Sequence, residues 1–152
     1  MKKKTTKKPK NTGKKITGKA GRAIKLEFHL DASLLLSDIF EKKIKYLLWK
    51  LENHKPGAGF SLEQSVKRLK YLHISKKYPL LNAYISIDLI DEIRNWKNQR
   101  NAILKDLMDI HVSKSRLENL TTDGVKILKI FNKSVKQIKS TLNPDRPPHQ
   151  QE

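Results

Sequence analysis

Cysteine is absent from the 152 residues, which removes disulfides, thiolate metal ligands and cysteine nucleophiles together. Long apolar runs are absent too. None approaches the roughly 18 residues that span a bilayer, and the basic N-terminus is not followed by the apolar stretch of a secretory signal. These absences point to a reducing, cytoplasmic setting with no membrane partner. The third absence is acid at one end: residues 1–25 contain no Asp or Glu, but ten Lys and Arg22. That segment supplies +11 of a net +18 and leaves +7 for the rest of the chain.

Such a segment cannot bury enough apolar surface to order itself, so residues 1–25 are expected to be a disordered arm. Its potential attracts polyanions, nucleic acid before an anionic membrane. Lys2, Lys3, Lys4, Lys7, Lys8, Lys10, Lys14 and Lys15 are its candidate phosphate contacts. A solubilising role is the alternative, although eleven uncompensated charges exceed what solubility needs. The remaining length is one domain's worth. Apolar residues gather in blocks between Leu26 and Leu142, which places a single folding unit at 26–143 and a frayed tail at 144–152.

Within that unit the apolar residues recur at three- and four-residue steps. Leu36, Phe40, Ile44, Leu47, Leu48 and Leu51 form one stripe behind possible caps at Asp31 and Ser33, stopped by Pro56-Gly57. Ser61 and Gln64 stand at capping-box spacing ahead of Leu62, Val66, Leu69 and Leu72, in a helix expected to end before Pro79. A third helix is expected from near Ser86 to about Ile110, carrying Leu89, Ile93, Trp96, Ile103, Leu107 and Ile110. "VSKSRLENL" adds a turn or two, and a last helix is expected from "TTDG" through Leu128, Phe131, Val135, Ile138 and Leu142 to Asn143-Pro144. "AYISI" (83–87) has strand character but no partner strand. The pattern predicts an all-α, four- to five-helix up-down bundle.

The third helix carries the chemistry. In "RNWKNQRNAILKDL", 94–107, a step of 100° per residue places Arg100 within about 60° of Leu89, Ile93, Trp96, Ile103, Leu104 and Leu107. A guanidinium on an apolar stripe must be paired, reach an edge by its stem, or face a partner. Arg94, Asn98, Asn101 and Lys105 follow at i, i+4, i+7 and i+11 on a separate polar stripe, with Lys97 nearby. Trp49 and Trp96 read as core or interface residues rather than base-stacking platforms. His29, His54 and His73 are scattered singly near segment ends, no spacing suggests a metal cluster, and no cofactor is expected.

"WKNQRNAILKDL", followed by a short connection and "TTDGVKILKIFNKSVKQIK", resembles the HEPN superfamily of helical domains, over residues 26–143. The resemblance implies a four- or five-helix bundle, common in toxin–antitoxin, phage-defence and RNA-processing systems. The family motif is Arg, a polar residue such as Asn, then His after four to six residues. Arg100 and Asn101 match its start. Lys105 stands where a four-residue gap puts the His.

In family members that cut RNA, the resemblance implies a homodimer whose paired Arg and His residues share one cleft and cleave without metal. Imidazole titrates near neutrality and can exchange protons, whereas Arg stays charged and forks onto phosphate. Without its His, this chain is expected to bind RNA, or an RNA-associated protein partner, without efficient cleavage. Arg94, Lys97, Arg100, Asn101 and Lys105 are the expected nucleic-acid contacts. An active endoribonuclease would draw on Arg100 and Asn101 with Lys105 or His111 as the acid–base group. A small basic DNA-binding or architectural protein, working through charge alone, is the third reading.

Overall fold

The computed structural model describes residues 29–109 and 112–143, apart from the side chains of 107–109. The expected tails, 1–25 and 144–152, fall outside the described residues. Among those described the architecture is all-α with no strand: α1 His29–Glu52, α2 Leu62–Ile74, α3 Pro79–Tyr84, α4 Ile87–Asp109 and α5 Lys114–Leu142. None of these helices is long and apolar enough to cross a membrane.

The capping box of α2 forms as its spacing implies. The Ser61 hydroxyl accepts from the Gln64 backbone N–H at 3.3 Å, and the Gln64 carboxamide accepts from the Ser61 N–H at 2.8 Å. The caps expected for α1 do not. Asp31 lies inside the first turn, and the Ser33 hydroxyl donates back to the Leu30 carbonyl at 2.8 Å, an intrahelical bond open to any mid-helix serine. Pro79 also acts differently from expectation. Instead of only closing α2 it opens α3 at the first helical position, where its missing N–H and fixed φ cost nothing.

The largest departure is at α5. The two segments expected around "VSKSRLENL" and "TTDG" are one helix of 29 residues, about 43 Å long, with Ser113 as its N-cap. Gly124 therefore lies well inside the helix, where its intrinsic preference is poor. Tertiary packing overrides that preference: a Cβ on Gly124 would lie 2.6 Å from Trp96 Nε1 and 2.8 Å from Trp96 Cε2. The indole occupies the space a side chain would need.

Long helices α1, α2, α4 and α5 surround one core, with α3 against α5. Direction alternates between α4 and α5: Trp96 meets Leu120 and Gly124, while Asp106 reaches back to Arg116. It also alternates between α2 and α4, since Lys97 pairs with Glu63 and Lys70 with Asp91 at 2.5 Å. By contrast α5 runs alongside α1 in the same direction, Thr121 bonding to His29 and Phe131 lying 6.4 Å from Phe40. The apolar stripes read from the sequence are buried at Leu36, Phe40, Ile44, Leu69, Ile93, Trp96, Leu128 and Phe131. Leu142, expected in the stripe, is 40% exposed at the end of α5. Leu107 and Ile110 contribute no described side chain.

Among the described residues two other than glycine take positive φ, Asn53 and Lys76, both at 53°. Each follows shortly after a helix end, the usual place for a left-handed residue, where glycine carries no Cβ penalty. Lys76→Gly is expected to stabilise the fold by up to about 1 kcal/mol, read as a raised urea midpoint. Gly124→Ala is expected to do the reverse. Alanine gains about 0.5–1 kcal/mol of helix preference, but overpacking a rigid neighbour costs about 1–3 kcal/mol. Urea denaturation should show a net loss, whereas a stabilised variant would contradict the close approach.

Candidate nucleic-acid interface

Trp96 fixes the local geometry. Its indole N–H donates to the Leu120 carbonyl at 2.7 Å across α4 and α5, and its ring lies 5.2 Å from that of Phe40 on α1. One helical turn on, Arg100 emerges on the same side of α4. It is half-buried, and among the described residues its one hydrogen-bond partner is its neighbour, Nη1 donating to Asn101 Oδ1 at 3.1 Å. Arg100 Nε is buried with no hydrogen-bond partner among the described residues. Desolvation lowers the pKa of this guanidinium below the ordinary Arg value.

The nearest acid further along α4 is already engaged. Asp106 Oδ2 accepts from Arg116 Nη1 at 2.6 Å, which ties the α4 and α5 ends of the connection together. Among the described residues Arg100 is therefore a cation held at the edge of a packed seam with no carboxylate partner. A buried donor left unsatisfied is costly. An anion with oxygens in the plane of the fork would relieve that cost.

The polar stripe expected on α4 is present: Arg94, Asn98, Asn101 and Lys105 are all exposed. Lys97 does not belong to it. Its side chain is 8% exposed and pairs with Glu63 of α2, and burial lowers its pKa even so. Sequence position alone could not show this, because Lys97 stands at the border between the two faces of α4 and the direction of α2 decides which way it turns. His111 and the eight candidate lysines among the ten of the tail lie outside the described residues. His29, the first described residue, gives its backbone carbonyl to the Thr121 hydroxyl at 3.2 Å, beside the Leu120 carbonyl that holds Trp96.

The other histidines have structural surroundings. His73 Nε2 lies 2.9 Å from the Ile85 carbonyl, joining α2 to the start of α4, and His54 is exposed in the loop after α1. That loop borders an open cleft of about 470 Å³ lined by Leu48, Phe60, Tyr78, Lys77 and the Glu52–Arg68 ion pair. Among the described residues no group of three His, Asp or Glu could hold a metal ion.

Of the two readings for Trp49, core or interface, its exposure excludes the core. It is 40% exposed and carries the Lys50 ammonium 4.5 Å from its ring centroid. At a step of 100° per residue Trp49 falls on the side of α1 opposite the apolar stripe of Leu36, Phe40, Ile44, Leu47 and Leu51. Comparison with protein-family models, curated proteins and solved structures finds no match to this chain.

Lys43 generates a pH-dependent expectation. Burial, then the nearby charge of Lys139, lower its pKa from 10.5. The unfolded chain thus holds this proton more tightly than the folded one, and the cost of the charge is fully present below the folded pKa. It is relieved as pH rises toward 10.5. Lys43→Gln should therefore be more stable than wild type at pH 7, with the gap closing on approach to pH 10.5. A gap that widens with pH would contradict the assigned cause.

Proposed function

We propose that this chain is a HEPN-like helical protein that binds RNA without cleaving it efficiently. The observation that carries the reading is Arg100, half-buried, with Nε unpartnered and no carboxylate partner among the described residues. Phosphate is the anion whose geometry suits that fork. Asn101 and Lys105, exposed on the same helix, supply adjacent polar contacts, and Arg94 extends them by two turns.

Cleavage would need a group that both accepts and donates a proton near neutral pH. At the position of the family's His stands Lys105, exposed and without the burial that a lysine general base needs. Arg100 and Asn101 thus stand for the phosphate-binding half of the family motif, and Lys105 does not replace its acid–base half. Two copies facing each other through α4 would place two Arg100 side chains in one cleft, which is the assembly the family resemblance implies.

RNA affinity of the full chain should fall with salt, by about 0.7 log unit per log unit of salt for each phosphate neutralised on a single strand. Arg100→Gln should weaken binding about 10- to 100-fold at fixed salt, the value of a hydrogen bond to a charged group, and RNA should remain uncut by either protein. Unchanged affinity in Arg100→Gln would reject this site, and specific cleavage abolished by that substitution would favour the active endoribonuclease.

A further inference from the structure

Acids and bases segregate on α1 and α5. On α1, Lys42 pairs with Asp38 at 2.7 Å and Lys45 with Glu41 at 2.6 Å, while Glu52 is taken by Arg68 of α2. Those pairs consume three of the four acids of α1, and the fourth, Asp31, lies on the same side as the others at a step of about 100° per residue. Lys43 and Lys50 remain on the flank that adjoins α5. On α5 the acids, Glu118 and Asp123, precede Gly124. From there to Leu142 the helix holds Lys126, Lys129, Lys133, Lys136 and Lys139 with no acid at all.

The two uncompensated flanks meet. Tyr46, Leu47 and Lys50 of α1 and Val135, Ile138, Lys139 and Leu142 of α5 line one shallow crevice. Lys43 is half-buried along the same edge, and the charge of Lys139 acts on it. Lys129 and Lys136 continue the edge on the side of α5 nearest Lys139. Like charges converging on a partly buried seam repel, and no ion pair engages Lys43 or Lys139 among the described residues. A polyanion lying along the seam would turn that repulsion into attraction.

Two aromatic side chains flank Lys50 at the end of this edge. Tyr46 and Trp49 meet edge to face at 6.1 Å, with Lys50 Nζ 5.6 Å from one ring centroid and 4.5 Å from the other. Trp49 keeps an open side. A solvated lysine flank needs no exposed indole, and a duplex gives an indole no base face to meet. Phosphate-binding cations interleaved with an exposed ring form the combination that holds unpaired bases by stacking and their backbone by charge.

We propose that the α1–α5 edge is a second binding site, one for single-stranded RNA, in which Lys43, Lys50 and Lys139 hold phosphates and Trp49 stacks on a base. This rests on the reading of the chain as an RNA binder and adds a site separate from Arg100. Lys139 follows Thr121, which marks the Arg100 end, by about 27 Å along α5.

The test uses tryptophan fluorescence of the full chain, in which Trp49 is exposed and Trp96 is buried. Titration with a 12-nucleotide oligouridylate at low salt should quench the exposed component, while an RNA duplex of equal charge should quench it much less. Trp49→Ala should weaken oligouridylate binding about tenfold, in keeping with a stacked base, and Lys43→Gln with Lys139→Gln should weaken it at least as much. Arg100→Gln should leave the quench at saturation intact. RNA binding that depends on Arg100 but ignores Trp49, Lys43 and Lys139 would overturn the second site and leave the proposed function standing. Quench and seam dependence with Arg100→Gln at full affinity would keep the seam and reject the Arg100 site. Absence of any RNA binding would overturn both. A Trp49 blue shift on phosphatidylserine vesicles, with no response to oligouridylate, would reassign the edge to a membrane surface and overturn the proposal.

Discussion

The indole of Trp96 is the constraint on which the candidate site depends. It is buried, bonded through its N–H to the Leu120 carbonyl, and pressed against a bare Gly124 backbone. A buried indole needs a partner for its one donor, and α5 supplies it by continuing as helix through a residue with no side chain. The same contact sets how closely α4 and α5 approach. With α4 held there, the residue one turn further on is fixed in place, and that residue is Arg100.

The cost of leaving Arg100 Nε unpartnered makes sense only beside the treatment of other charges nearby. Lys97 turns inward and finds Glu63, Asp106 finds Arg116, and Lys70 finds Asp91. The bundle pairs its inward-facing ions across helices almost everywhere that an acid is within reach. Arg100 is an exception on α4, and Lys43 with Lys139 is the parallel exception between α1 and α5. Both exceptions are cationic, and both lie at seams between helices.

Most of the architecture was legible in the sequence because burial follows helical periodicity: the stripes on α1, α2 and α4 bury the residues their spacing selects. The Ser61–Gln64 cap was legible because it is local chemistry. The continuity of α5 was not, since glycine weakens a helix and only the indole of a residue 28 positions earlier explains its presence. Pro79 was ambiguous for a related reason, as proline both ends and begins helices. Of the site, Arg100 was legible from its angular position, as was the exposed stripe of Arg94, Asn98, Asn101 and Lys105. Lys97 was misplaced because its surroundings come from α2. The α1–α5 edge left a signal that could have been read: acid-free sequence from Gly124 to Leu142 and acids confined to one side of α1. Recognising it needed the knowledge that these two flanks are neighbours.

Anion recognition by Arg100 is the central claim, and its own nitrogen reports on it. The Arg100 Nε–H signal in ¹H–¹⁵N spectra, assigned by its loss in Arg100→Lys, should exchange slowly with water in the free protein and shift strongly as oligouridylate is added. Rapid exchange like that of the exposed Arg94, together with a position unmoved at saturating RNA, would contradict the account.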